Sequence, residues 1–378
     1  MKLLAHFKFD VIFLLGALVV AFVYGGAPAL ELAAILVVIE IVFSFDNATV
    51  NAKILERMNA FWRKIFLTVG VLIAVFGMRL LFPLIIVSLT AKIAPWDAVD
   101  LALKQGNVHQ PGSYGYLLNQ AHPSIAAFGG MFLMILALDF LLDSGRDVTW
   151  LSVIEKPLLR IGKLDQLSVV IAGAALAIVS LTLTSGDETR KVLFAGVLGI
   201  VAYVLVNSLG QLIGPEEEEE EEEGADAGGT PAESMTGAVT VVAPAPSVVQ
   251  VAGKAALFLF LYLEVIDASF SFDGVIGAFA ITPDPIIIAL GLGVGALFIR
   301  SLTVYLVEEG TLSKYEYLEH GAQWAIITLS VILLISVKYT IPDVVTGLIG
   351  LFLIAAAFLT SVVVNRRPQG ATEPTGTP

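Results

Sequence analysis

Two acidic stretches carry the chemistry this sequence offers. Val38-Ile39-Glu40-Ile41-Val42-Phe43-Ser44-Phe45-Asp46-Asn47 recurs 227 positions later (265 − 38) as Val265-Ile266-Asp267-Ala268-Ser269-Phe270-Ser271-Phe272-Asp273-Gly274. Six positions are identical, and the position of Glu40 holds another acid, Asp267. Both copies lie inside apolar runs, where a lone carboxylate costs about 2.5–3.5 kcal/mol even on a lenient insertion scale. Such groups must face a wet cavity, a counter-ion or a metal. Carboxylate, amide and hydroxyl oxygens suit hard cations such as Mg2+, Ca2+ or Mn2+ and disfavour copper and zinc. His6, His109, His122 and His320 lie at the ends of apolar runs or between them, and there is no Cys. Disulfides, thiolate zinc sites and Cys nucleophiles are therefore excluded.

The candidate metal ligands are Glu40, Asp46, Asn47, Asp267 and Asp273. Glu264, Ser44, Ser271, Asn51 and Asp139 are candidates for further ligation or for carrying protons. Arg79 and Arg300 each stand in the apolar run that follows a motif copy, and with Lys338 they are candidates for charge compensation or gating. The plainer alternative is that Glu40, Asp46, Asp267 and Asp273 only pair with the two arginines to lock helices together. Four acids against two arginines leave two negative charges unmatched, which favours an ion site and a divalent ion. On a regular helix, a spacing of six residues turns through about 600°, so Glu40 and Asp46 point roughly 120° apart. Both reach one cavity only if the helix unwinds near Phe43 to Asn47 or the cavity wraps it. Asn47 and Gly274 tolerate such a break, which would free backbone carbonyls as oxygen ligands.

The elements that must position these groups are membrane helices. Of the 378 residues, 57% are hydrophobic and 15% charged, and the mean hydropathy is +0.87, which no ordinary soluble domain shows. Stretches of about 20 apolar residues occur at roughly 9–25, 29–50, 62–89, 123–143, 166–184, 192–213, 253–280, 285–307, 322–341 and 343–364. The fold class expected is an all-α polytopic membrane protein of about ten spans. Passing the chain through ten spans from a cytoplasmic N-terminus places 14 of the 21 Lys and Arg inside, 4 outside and 3 (Arg79, Arg300, Lys338) in or at the edge of spans. That split puts both termini in the cytoplasm of a plasma (inner) membrane protein. The motif falls on the second and the seventh span, so its copies cross in opposite senses. This is the layout of two inverted five-helix repeats with a site near the midplane.

The segments expected are a first membrane repeat plus a sixth helix over 1–213, a linker over 214–252, a second repeat over 253–366 and a disordered tail over 367–378. Ten acids lie in the linker, eight of them the run Glu216 to Glu223; without them the balance of 21 basic and 34 acidic residues falls from −13 to −3. The linker reads as disordered, and a nucleic-acid partner is not expected. Residues 90–122 are expected to form a short amphipathic cap outside. Gly291, Gly293 and Gly295 read as close helix packing, and Trp62, Trp96, Trp150 and Trp324 as interfacial anchors.

Glu40-Ile-Val-Phe-Ser-Phe-Asp-Asn-Ala with Asn51-Ala, and Glu264 through Thr282, resemble the TerC family of integral membrane proteins, named for tellurium resistance and related to the LysE-type transporters. Tyr317-Leu-Glu-His-Gly321, with Lys338 further on, also looks like that family. The resemblance covers about half of the chain and implies a divergent branch. It implies handling of Mn2+, Ca2+ or other metals, with Glu40, Asp46, Asn47, Asp267 and Asp273 at the metal site. Gly274 departs from the Ser the family usually has there. The function expected is divalent-cation transport, foremost Mn2+ export by alternating access, with the ion as substrate, no permanently bound cofactor and no enzymatic activity. The alternatives are a non-transporting membrane partner that supplies metal to or scaffolds other proteins, with membrane-protein partners or a homo-oligomer, and, remotely, an intramembrane aspartyl hydrolase.

Overall fold

The computed structural model describes residues 6–106, 108–164, 166–225 and 251–366, except the side chains of some residues within them, Asp46, Ser271 and Asp273 included. Residues 226–250 of the acidic linker and the tail beyond 366 lie outside the described residues. The described chain is helical throughout, and its only extended pairing is an isolated bridge between Met58 and Val251. Among the described residues seven helices are long and apolar enough to cross a membrane: Lys8–Val42, Ala60–Leu89, Tyr114–Leu142, Asp187–Ser208, Pro285–Glu308, Leu318–Ser336 and Val345–Asn365. The chain is an all-α, multi-pass membrane protein.

In chain order the elements are α1 (Lys8–Phe43), α2 (Phe45–Glu56) and α3 (Ala60–Ile65), which continues through π-helical segments Phe66–Gly70 and Ile73–Leu81 into α4 (Phe82–Ala91). Then come α5 (Pro95–Leu103), α6 (Tyr114–Leu142), α7 (Ser152–Ile161), α8 (Leu167–Leu183) and α9 (Asp187–Ala225). The last are α10 (Gly253–Ile281), α11 (Pro285–Glu308), α12 (Thr311–Lys314), α13 (Leu318–Ser336) and α14 (Asp343–Asn365). α1 is not one rod. Gly25 and Gly26 leave helical geometry, Gly26 at φ 71°, ψ −157°, a conformation open to glycine because it has no Cβ. α9 carries its helix through the Glu216–Glu223 run before the described residues end.

α6 is the central post, with most of its length buried between α9, α13 and α10. Its small positions let neighbours approach closely; Gly129 lies against the Ser269 backbone of α10, and Gly130 against Ser330 and Leu333 of α13. Two further apolar clusters are separate from this post. One gathers Ala33, Leu36, Val275, Ala278, Ile288 and Leu292; the other gathers Ala48, Leu55, Phe66, Leu263, Ile299 and Val304. Following α1 into α2, the chain passes from the first cluster to the second, whereas α10 passes from the second to the first. The two motif-bearing segments therefore link the two clusters in opposite chain order.

The connections are tied down by polar bonds. α5 covers one end as the expected short amphipathic cap, burying Ala98 and Ala102 while Trp96 is exposed, and Gln105 donates to Asp284, the N-cap of α11, at 2.6 Å. At the opposite end α7 is pinned by Glu155, which is fully buried. Its carboxylate accepts from Trp324 Nε1 at 2.9 Å and from the backbone of Leu151 at 3.1 Å, and lies 3.0 Å from His320 Nδ1. Trp324 thus serves as a donor to a buried acid where a lipid anchor was expected, and Trp150 donates to Thr360.

Burial alone would raise the Glu155 pKa, but bonds from His320, Trp324 and the Leu151 backbone outweigh it and hold the acid at about 2 against an ordinary 4.5. A depressed folded pKa stabilises above the unfolded value and is lost as pH falls through the folded one. Glu155→Gln should lower stability by about 3 kcal/mol at neutral pH. In thermal melts the gap from wild type should persist down to about pH 4.5 and narrow toward pH 2; a gap independent of pH would assign the loss to packing.

Candidate ion site

Between the two apolar clusters lies a buried layer of charge. Its strongest element is Arg300 of α11, 2% exposed, whose Nη1 and Nη2 each donate to one oxygen of Glu264 at 2.9 Å. Nη2 also reaches Asp267 Oδ2 at 2.8 Å, and Nη1 the Phe66 carbonyl at 3.4 Å, while the guanidinium covers the Phe66 ring at 4.3 Å from its centroid. A planar fork is suited to holding two carboxylates at once. The second buried arginine is Arg79, 4% exposed, which ion-pairs with Glu40 and donates to the Ala74 carbonyl at 2.8 Å. Arg79 stands on a π-helical stretch that ends just before Pro83. Proline has no N–H to give, so the ladder leaves α register there.

The copies touch each other reciprocally. Asn47, which follows the first motif Asp, donates to Asp267 of the second copy at 2.6 Å. Gly274, which follows the second motif Asp, faces Glu40 of the first: a Cβ on Gly274 would lie 3.6 Å from Glu40 Oε2. Position 47 matches 274 and position 40 matches 267 under the same 227-residue shift, so one contact is the image of the other. Glycines admit the charged groups to the layer. A Cβ at Gly295 would overlap Glu40, and one at Gly70 would overlap Arg300 Nη1 and lie 2.9 Å from Glu264 Oε1. Gly291 and Gly293 meet Leu36 and Val75 as closely, so this glycine row is packing, as expected.

The remaining candidates fall in different places. Ser44 donates to Glu40 Oε1 at 3.2 Å and marks a break between α1 and α2 at φ −100°, ψ 16°. Of the two arrangements open for Glu40 and Asp46, a helix that unwinds or a cavity that wraps it, the helix departs from α geometry at one residue only, while α10 runs unbroken past Gly274, a position that permits a break without requiring one. Asn51 is 1% exposed, and its Oδ1 has no hydrogen-bond partner among the described residues. The side chains of Asp46, Asp273 and Ser271 lie outside the described residues, although their backbones adjoin Asn47, Phe270 and Gly274. Asp139 stands apart. It accepts from Tyr203 at 2.6 Å and lines a polar cavity of about 320 Å³ with Asp143, Ser144 and Ser168. Lys338 follows α13 and lines a separate cavity of about 520 Å³ that also holds His109, His122 and Asn119 and reaches Gly274.

Among the described residues no three His, Asp or Glu form a set able to hold a metal ion; the described acids of the layer are taken up by Arg79, Arg300 and Asn47. Two polar groups went unmarked in the sequence reading. Asp10 on α1 is 2% exposed and accepts from Ser301 at 2.8 Å, and its acid in an apolar run was the available signal. Glu155 gave none, because a single acid on a short amphipathic segment reads as solvated.

A family model described as a protein of unknown function (DUF475) matches residues 45–368. The chain belongs to this family. The match covers most of this DUF475 member, from the first motif to the end of α14. No curated protein and no solved structure matches it.

The two glycines that border the charges make a paired test. Gly70→Ala places a methyl against a guanidinium that Glu264, Asp267 and Phe66 hold in position, so one of those contacts must break. Breaking a buried pair costs about 3–5 kcal/mol, and melting of the purified protein should fall accordingly. Gly274→Ala meets only ordinary contact and should melt within about 1 kcal/mol of wild type. Equal melting of the two variants would contradict the rigidity assigned to the Arg300 fork.

Proposed function

We propose that this protein is a divalent-cation transporter, with Mn2+ export by alternating access as the leading reading, and that the buried charged layer is its substrate site. The observation that carries the proposal is the reciprocal contact of the two acidic motifs, whose segments link the two apolar clusters in opposite chain order. Dividing α1 at Gly25–Gly26 and adding α8 and α10 to the seven long apolar helices gives ten spans, hence two inverted halves of five with both termini in the cytoplasm. The relation to TerC proteins belongs to the same proposal, as does the plasma membrane as its location. A site at the junction of inverted halves is what rocking between two access states requires.

The residues present suit the task. By count, the five acids Glu40, Asp46, Glu264, Asp267 and Asp273 against Arg79 and Arg300 give a formal excess of three negative charges, of which a divalent cation removes two. Glu264 shares Arg300 with Asp267 and is the natural proton carrier for the third. In the state described, the arginines act as stand-ins for the ion on Glu40, Glu264 and Asp267. A cation arriving through the cavity at Gly274 would compete with them, with Asn47, Asn51 and Ser44 oxygens as neutral ligands. The inward cavity beside Asp139 is set apart from this layer, which suits gating better than binding.

The test is uptake by proteoliposomes over a panel of Mn2+, Mg2+, Ca2+ and Zn2+. Wild type should move Mn2+, and Asp46→Asn or Asp273→Asn, which keep shape and remove one charge, should reduce flux at least tenfold while still inserting. Asp139→Asn should keep Mn2+ binding and alter rate. Binding without flux in wild type would favour the metal-supplying or scaffolding partner instead; variants that transport as wild type does would make the acids structural counter-ions.

A further inference from the structure

The connection between α6 and α8 carries a helix whose three faces differ. Residues of α7 advance by about 100° each. One face is committed to the protein: Glu155 is buried on Trp324 and His320, and Gly162, just past the helix, is pressed against the Leu142 carbonyl. A second arc exposes large apolar side chains, with Val153 90% and Ile161 45% exposed and Leu164, in the following turn, 63% exposed. A third arc exposes Lys156 and Arg160, with Lys163 following in the same turn. α7 also joins two apolar helices, so it lies where the chain leaves and re-enters the bilayer. An aqueous surface gives no reason to expose Val153, Ile161 and Leu164 together, and three cations beside them are complementary to phosphate.

We propose that α7 is an in-plane helix that binds anionic phospholipid headgroups, its apolar arc in the acyl boundary and its basic arc on the phosphates. This rests on the multi-pass membrane character of the chain and is independent of what the charged layer transports. Glu155 gives the helix its fixed rotation. With that face bonded to α13, and Trp150 bonded to Thr360 of α14, the two other arcs are held toward lipid without an ordering cost at binding. The set Lys156, Arg160 and Lys163 belongs to the positively charged side of the topology, the side on which anionic lipid attracts basic segments.

The experiment uses the full chain in nanodiscs of phosphatidylcholine with increasing phosphatidylglycerol, read by thermal shift and by native mass spectrometry of retained lipid. Wild type should rise in melting temperature with phosphatidylglycerol and retain it. K156Q/R160Q/K163Q, all at exposed positions, should weaken apparent affinity by about tenfold or more. The charge-keeping swap K156R/R160K/K163R should behave as wild type. Inorganic phosphate and glycerol 3-phosphate, the same charge without acyl chains, should give no shift. A glutamine variant that responds as wild type does, a wild type that does not respond, or an equal response to free phosphate would each overturn the proposal. Mn2+ flux plays no part in the readout, so failure here leaves the transport reading standing, and the reverse.

Discussion

The fork of Arg300 between Glu264 and Asp267 is the interaction on which the rest of the interior depends. A guanidinium and two carboxylates buried in an apolar bundle are tolerable only while each satisfies the others, because removal of any one leaves an uncompensated charge. That requirement reaches outward through the structure. It sets Gly70 on the facing π-helical stretch, where a side chain would collide with the fork. It places Phe66 under the cation and brings Asn47 of the other motif copy to the free oxygen of Asp267. The Arg79–Glu40 pair repeats the arrangement, with Gly295 giving way to Glu40.

Such a layer is a costly way to hold helices. Apolar groups of similar volume stabilise a bundle at least as well as buried ion pairs do. Two arginines shared among the described acids, an Asn51 oxygen with no partner among the described residues and a cavity reaching Gly274 are the features on which the proposed exchange of partners rests. The elements around it separate accordingly. α6, α9 and α13 share an apolar core, while α1, α2, α10 and α11 carry the groups of the charged layer.

Much of this was legible in the sequence because the signals were expensive residues in unexpected places. An acid or an arginine inside an apolar run is rare for energetic reasons, so Glu40, Asp267, Arg79 and Arg300 announced themselves, and the 227-residue repeat of the acidic motif said which acids belonged together. The six-residue spacing of two acids left a helix break or a wrapping cavity open, and the helix departs from α geometry at Ser44. What was not legible depended on partners far away in the chain. Glu155 became a buried anchor only because Trp324 and His320 arrive from another helix, and the same contact turned Trp324 from an expected lipid anchor into a donor. The continuity of α10 past Gly274 was equally hidden, since glycine permits a break without requiring one. Asp139 was legible as an intramembrane acid apart from the motif pair, but its partner Tyr203, 64 residues away, was not.

The central claim is that the layer binds a divalent cation, and the most direct measurement is the magnetic resonance signal of free aqueous Mn2+ titrated into the purified protein. Wild type should remove the six-line free-ion signal up to one equivalent, and Asp46→Asn, still folded by its melting curve, should remove far less. A wild type that leaves the free-ion signal unchanged at protein concentrations of about 100 μM, where a site of Kd about 1 μM would be filled, would contradict it.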